Sequence, residues 1–476
     1  MAYLLNVIYL AAIVLALPWL LYQRIRHGKY REGWDAKFWG RLPKRSGNKP
    51  CIWLHAVSVG EVNLLEPLLK RWERLHPDWD VVISTTTQTG YHLARKKYGP
   101  RTVVYCPLDF TWAVRRAMRR LSPTLLVLAE LELWPNLVSA ARQYGVKVAV
   151  VNGRLGEKSF RGYRWIAWLV RRVLRQIDLI AAQNDTYGER FLALGARPMS
   201  IHTTGSIKFD GARTDRNAPE TQRLARLAGI SPEDTVFLAG STQDPEESLG
   251  LSTFERLSTE FPRLKLLLVP RHPERFDEVA ALLDRRGISW QRRSHLTPDS
   301  CPLTPAPRVL LVDVVGELGH WWGTAKIAFV GGSLTNRGGQ NMIEPAGYGA
   351  AVSFGPNTWN FRDVVTLLLD GQAAAVVRDQ SELDGFVRRC LTDATFADDL
   401  GGRAQELVLQ QQGAADRTIE LLERLILNEF IESRLDQPHK QQIEQKETKL
   451  TKKNSRPFVS LRFLRFLLFK SLVRCG

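Results

Sequence analysis

From residue 51 onward the chain alternates short apolar runs with longer mixed segments. The runs lie at 51–57, 80–84, 102–105, 124–129, 146–151, 177–182 and 200–204, and stretches such as 61–75, 111–121 and 164–176 between them are long enough for helices. Unbroken apolar runs bounded by turn residues fit strands buried on both faces, and their alternation with helices predicts a parallel sheet covered on both sides. GSIKFDGARTDRNAPE, 205–220, breaks the rhythm with polar and turn residues and reads as a linker. The rhythm resumes at 235–239, 264–269, 309–312, 326–330, 351–354 and 374–377, and a long helix is expected over 401–430. The pattern predicts an α/β protein with two Rossmann-like, doubly wound domains, 51–215 and 216–430. Ligands bind such folds at the carboxyl ends of the strands, here in a cleft between the two domains.

The ends follow other patterns. Residues 2–22 are apolar except for Asn6, and about 20 such residues can cross a bilayer as a helix. Residues 1–22 are therefore expected to anchor the chain, and 23–50 to form a basic juxtamembrane segment. In residues 1–50 nine basic residues face two acidic ones, all of them from Arg24 onward, which places the downstream chain on the cytoplasmic side. Trp19, Tyr22, Trp34 and Trp39 fit an interfacial belt. A cleaved signal peptide would need charge ahead of the apolar run and a small-residue cleavage site after it; a helix that enters one leaflet without crossing stays open as an alternative. Residues 431–476 form a basic tail. Its part at 437–456 reads as a solvated linker and its part at 457–475 as a basic, Phe- and Leu-rich segment for an anionic surface, with a disordered tail or partner-binding helix as the alternative.

Composition then narrows the function. The net charge of +17 resembles that of a nucleic-acid binder, but the two ends carry about +15 of it and the middle is nearly balanced. The partner the charge indicates is an anionic membrane surface, not nucleic acid. Five scattered cysteines without a C-x-x-C pair argue against a zinc site or disulfide framework and fit a reducing compartment.

Chemistry-bearing residues gather after the expected strands. LHAVSVGEV, 54–62, ends a strand at a glycine and a carboxylate: Glu61 either favours a helix N-terminus or accepts a proton from a substrate hydroxyl. His55, Ser58, Gly60 and STTTQTG at 84–90 flank it. In AELELWPN, 129–136, Glu130 and Glu132 alternate, so a continuing strand would turn only one to the cleft. VPRHPER, 269–275, offers Arg271 on a proline-stiffened turn, suited to a phosphate or carboxylate. FVGGSLTNRGGQNMIEPAGYG, 329–349, is the densest signal: Gly331, Gly332 and Ser333 would bring backbone N–H groups to phosphate oxygens, and Glu344 would meet ribose hydroxyls. Its order matches neither the dinucleotide fingerprint nor the Walker loop. GSTQDPEE with Ser241, VVGEL at 314–318 and GPNTWNF at 355–361 also follow strands, converging on one rim.

Together HAVSVGEV, AELELWPN, GSTQDPEE, VPRHPER, GGQNMIEP and GPNTWNF resemble, in kind and order, the bacterial 3-deoxy-D-manno-octulosonic acid (Kdo) transferases over roughly residues 20–425. The resemblance implies a GT-B glycosyltransferase at the cytoplasmic face of the inner membrane. It implies inverting transfer of Kdo from CMP-Kdo to a lipid A precursor, with no metal and no cofactor; transfer of another nucleotide sugar to a lipid is the alternative. It implies that Glu61 is the general base, and that Pro270, Arg271, Val315, Gly316, Glu317, Asn341, Met342, Ile343 and Glu344 hold CMP. Lys208 is similar to a family lysine in the cleft, and Glu132 to the second acidic residue of E-x-E-L-W-P. Gln243 and Pro245, and Gly153 and Gly156, depart from the family pattern.

Overall fold

The computed structural model describes residues 2–27, 32–297 and 307–434. Cys301 and the expected linker and basic segment of the tail lie outside them. Met1–Ile419 forms one compact unit, to which everything below belongs; Glu420–Gly476 forms a second, described only as the end of the helix Ala414–Arg434.

Two seven-stranded sheets build the first unit. One contains β1 (Cys51–His55), β2 (Asp80–Thr85), β3 (Thr102–Tyr105), β4 (Leu125–Ala129), β5 (Lys147–Gly153), β6 (Leu179–Ala182) and β7 (Ile201–Thr203), in the order β3-β2-β1-β4-β5-β6-β7. The other contains β8 (Thr235–Thr242), β9 (Leu264–Pro270), β10 (Trp290–Arg292), β11 (Val309–Leu311), β12 (Ile327–Val330), β13 (Ala351–Phe354) and β14 (Ala374–Val376), in the order β10-β11-β9-β8-β12-β13-β14. Among the described residues every pairing is parallel. Each strand expected from the apolar runs is present, with its ends shifted by a few residues. The short edge strand β10 is an addition.

Eight helices of the first half position the site: α1 (Ala2–His27), α2 (Trp34–Trp39), α3 (Val59–Leu75), α4 (Gln88–Tyr98), α5 (Thr111–Leu121), α6 (Pro135–Gln143), α7 (Glu157–Trp165) and α8 (Ala167–Leu174). Val114, Leu137 and Val173 of α5, α6 and α8 pack on Trp53, Leu126 and Val148 in one cluster, so these helices cover one face of the first sheet. Burial of each such side chain contributes about 1.5–3 kcal/mol, which holds the layer in register with the strands.

Two expected helices are divided. The stretch 164–176 breaks at Ile166, where φ −116° and ψ 30° leave the helical region. The long helix over 401–430 is two helices, Ala394–Gln411 and Ala414–Arg434. Gly413 turns between them at φ +87°, and the carboxylate of Asp210 accepts the N–H groups of Gly413 (2.6 Å) and Ala415. The second helix thereby gains an N-terminal cap from the segment 205–220, which is itself a packed turn, Ile207–Phe209, followed by a helix from Pro219.

Candidate active site

At the carboxyl edge of the first sheet β1 runs into α3. Ser58 is the N-cap: its Oγ accepts from Glu61 N (3.4 Å) and donates to Glu61 Oε1 (2.8 Å), while Glu61 Oε2 accepts from Val57 N (2.9 Å). This is a form of capping box, so the structural reading of Glu61 holds. It does not exhaust the residue. Each carboxylate oxygen keeps a further lone pair, and Glu61 remains partly exposed. Burial, reinforced by the charge of Glu130, raises its pKa against the pull of those hydrogen bonds. Gly60 lies in the first turn of α3, and Thr87, the N-cap of α4, donates to the Val57 carbonyl (3.1 Å) and so braces the turn.

The strand alternation expected for Glu130 and Glu132 does not occur. β4 ends at Ala129, and Glu130 adopts φ +56°, a left-handed conformation that costs a non-glycine residue energy. Both carboxylates therefore belong to the rim. Lys208 Nζ lies 3.1 Å from Glu130 Oε1. Glu132 Oε2 accepts from Trp134 Nε1 (2.9 Å); burial and then the charge of Glu61, with Glu130 after it, push Glu132 up to about 7. Lys208 is placed by Asn152, also left-handed (φ +54°), whose Oδ1 accepts from Ile207 N at 3.0 Å. His55 is not part of the rim. It is fully buried, its Nδ1 lies 2.9 Å from Ser84 Oγ, and burial lowers its pKa to about 4, so the imidazole is neutral core.

The second rim corrects the glycine-loop expectation. The N–H groups of Gly332 (2.7 Å), Ser333 (3.0 Å) and Leu334 (2.9 Å), together with that of Gln243 (2.9 Å), all point at the carboxylate of Glu246, which is completely buried. The nest that would cradle a phosphate is filled by a carboxylate of the protein itself. Ser333 is buried as well, with Oγ donating to Val330 O (2.5 Å) and accepting from Gly355 N (2.8 Å), so it does not line a cleft. Ser241 is mostly buried at φ +55°.

The polar groups left for a ligand lie beside this nest. Arg271 follows Pro270 at the end of β9, with an exposed side chain and its N–H on Thr242 O (3.0 Å). Val315 is exposed and Gly316 takes φ +98°, but the Glu317 carboxylate is held by Arg293 (2.9 and 2.7 Å) and Trp321 (3.1 Å). The polar surface that VGE leaves free is therefore its backbone, beside the exposed Val315 side chain. Asn341 Nδ2 donates to Glu344 Oε1 (3.1 Å). Burial raises Glu344, opposed by hydrogen bonds from Asn341 and Trp322 and by the charges of Arg213 and Arg271. Met342 and Ile343 have buried side chains within the core, so only their backbone can meet a nucleotide. Gly338, at φ +88°, admits Trp359 and Asn360 so closely that a Cβ would lie 2.5 Å from the indole nitrogen.

Arg154 connects the two halves. It is paired with Asp363 at 2.8 Å and also feels the charge of Glu130. Arg154, Arg213, Asn152 and Glu246 were missed from the sequence. Only Glu246 carried a local signal, as an acidic residue in the first turn after a strand.

A family model described as 3-deoxy-D-manno-octulosonic-acid transferase (kdotransferase) matches residues 32–211. A 3-deoxy-D-manno-octulosonic acid transferase of Haemophilus influenzae is 32% identical over 384 residues, covering 79% of this chain and 88% of that protein. One from Bordetella pertussis is 33% identical over 386 residues, with coverage of 78% and 86%. Among solved structures, UDP-GlcNAc 2-epimerase from Neisseria meningitidis bound to UDP-GlcNAc superposes with a TM-score of 0.52 at 10% identity, over 79% of this chain and 100% of that one. That likeness concerns the two-sheet fold alone.

Proposed function

The chain belongs to the Kdo transferases, GT-B-type glycosyltransferases of lipopolysaccharide biosynthesis, and on that premise we propose that it moves Kdo from CMP-Kdo to a lipid A precursor of the lipid IVA type. The transfer inverts the anomeric carbon and is the first Kdo step of core assembly. Residues 51–215 take the acceptor and 216–430 the donor, at the cytoplasmic face of an anionic inner membrane to which the apolar α1 and the basic ends of the chain attach.

The observation that carries this reading is the group of three carboxylates on the first rim, in which Glu61 is made more basic by burial and by Glu130. The acceptor hydroxyl is a poor nucleophile. Glu61 accepts its proton as the acceptor oxygen bonds to the anomeric carbon, and a positioned base of this kind is worth about 10²–10⁴ in rate. The bond from that carbon to the phosphate oxygen breaks, and CMP leaves with the electron pair. Arg271, with Arg213 nearby, stabilises the departing phosphate, and Glu344 receives the ribose hydroxyls beside Asn341. Loss of the Glu61 charge on protonation removes its upward push on Glu132, so the two carboxylates titrate as a pair and a proton taken by Glu61 favours the ionised form of Glu132. Lys208 holds Glu130 in its strained turn and supplies the positive charge beside them.

The test is transfer in vitro with CMP-Kdo and a tetra-acylated lipid A precursor, read as product mass. A Kdo increment is expected. No increment with intact donor and folded enzyme overturns the proposal, and an increment only from UDP-sugars assigns the chain to the alternative donor class.

A further inference from the structure

α1 satisfies the length and composition of a membrane span over Ala2–Trp19, yet its first turns are fastened to the site-bearing half of the protein. Asn6 is 5% exposed. Its Nδ2 donates to Thr111 Oγ1 (2.7 Å), and its Oδ1 accepts from Thr111 N (3.1 Å) and Asn136 Nδ2 (3.4 Å). One turn on, Tyr9 donates to Asp109 Oδ2 (3.1 Å) and packs edge-on against Phe110. Asp109 also caps α6 by accepting from Asn136 N and Leu137 N. After α1 the chain returns to the same place: Lys37 O accepts from Leu108 N (2.7 Å), and Phe38 O from Trp112 Nε1 (2.9 Å).

A crossing helix is incompatible with these contacts. From residue 6 to residue 27 the helix is about 32 Å long, close to the ~30 Å hydrocarbon thickness of a bilayer. A crossing would carry Asn6 to the far side and break all its bonds to Thr111 and Asn136, because a rim lined with carboxylates cannot follow it into lipid. The docked helix instead exposes an apolar flank, with Leu4, Val7, Val14 and Leu15 each 59–83% exposed, more apolar surface than water tolerates in one patch.

The surroundings match a headgroup layer. α5 and α6 beside this docking point, and α8 packed on α6, carry seven arginines and no acidic residue, although Arg142 is paired with Asp178 at 2.9 Å. Between α6 and α8 lies a groove of about 590 Å³ lined by Arg142, Arg171, Arg172, Arg175 and Trp168. Trp165 (89% exposed) and Trp168 (63%) project from the joint between α7 and α8.

We propose that α1 is a monotopic element: it lies within the near leaflet with both ends on the side of the catalytic rim, and the arginine-bearing layer of α5, α6 and α8 rests on anionic lipid headgroups beside it. This rests on the membrane association proposed above but not on the identity of donor or acceptor. The full chain carries the test. An uncharged Gly/Ser extension with one cysteine ahead of Met1 must reach one of the two aqueous phases, with Cys301 and Cys475 changed to Ser. A membrane-impermeant maleimide is expected to label it in inverted vesicles and not in intact spheroplasts. Labelling in spheroplasts overturns the proposal, and so does recovery of the protein in the soluble fraction. A fluorophore on Trp165→Cys is expected to shift to the blue on vesicles of phosphatidylethanolamine and phosphatidylglycerol; an unshifted spectrum from vesicle-bound protein overturns the headgroup contact. Kdo transfer measured on the same vesicles reports separately on the reaction, so failure of one reading is not mistaken for failure of the other.

Discussion

The two rims use carboxylates in opposite ways. On the second, Glu246 is filled by four backbone N–H groups and Glu317 by Arg293 and Trp321, while Glu344 accepts from Asn341 and Trp322 and is raised by burial alone, with no acidic neighbour against it. On the first, Glu61, Glu130 and Glu132 crowd one another with Lys208 as the paired cation, and the pKa values of Glu61 and Glu132 rise. Glu246 and Glu317, filled by their partners, are architecture; Glu61 and Glu132, raised by burial and then by neighbouring charge, retain the capacity to take a proton. The contrast separates residues that motif reading treats alike, since both rims present acids just after a strand.

The sharpest way to break this distinction is Glu61→Gln. Turnover is expected to fall by about 10²–10⁴ while CMP affinity, measured by calorimetry, and the melting temperature stay close to wild type. Loss of folding instead would reduce Glu61 to a cap. Glu246→Gln should do the reverse: it turns an amide NH₂ toward buried N–H groups, destabilising the protein by about 3 kcal/mol in chemical denaturation. A fully stable variant would show that the nest does not need its anion. Arg271→Ala is expected to weaken CMP binding roughly 10- to 100-fold, the range for losing a charged hydrogen bond, with little change in stability. Unchanged affinity would move the phosphate site elsewhere.

The smallest effect is a pH slope. The folded-state pKa of Glu132, about 7, lies above its ordinary value of 4.5, so the folded state binds the extra proton. Stability from this group is present below pH 4.5 and is lost as pH rises through 7. Glu132→Gln should therefore flatten the decline in melting temperature between those values, leaving the acidic end unchanged. An identical slope in the variant would place the strain on another group.

The sheets were legible because strands buried on both faces appear as unbroken apolar runs. β10 was not, since Trp290–Arg292 is a three-residue edge strand with two polar members. Glu61, Arg271 and the rim segments after β1, β4, β8, β9 and β12 were legible as polar residues following such runs. What the glycine loop binds was not, because Glu246 fills it from 86 residues away. Likewise, strand periodicity cannot anticipate a left-handed Glu130, and helical periodicity continues through Gly413 although Asp210 starts a new helix there.

Arg154 and Asp363 act as a clasp between the halves, and it is a clasp partly open to solvent. In the proposed transfer, a swing of the halves that let CMP escape would have to unfasten it. Dissolved ions weaken such a contact over the ~10 Å reach of electrostatics at 0.1 M, so moderate salt should lubricate product release and speed an enzyme limited by that step. Excess salt would leave the halves too loosely joined to meet the next substrate.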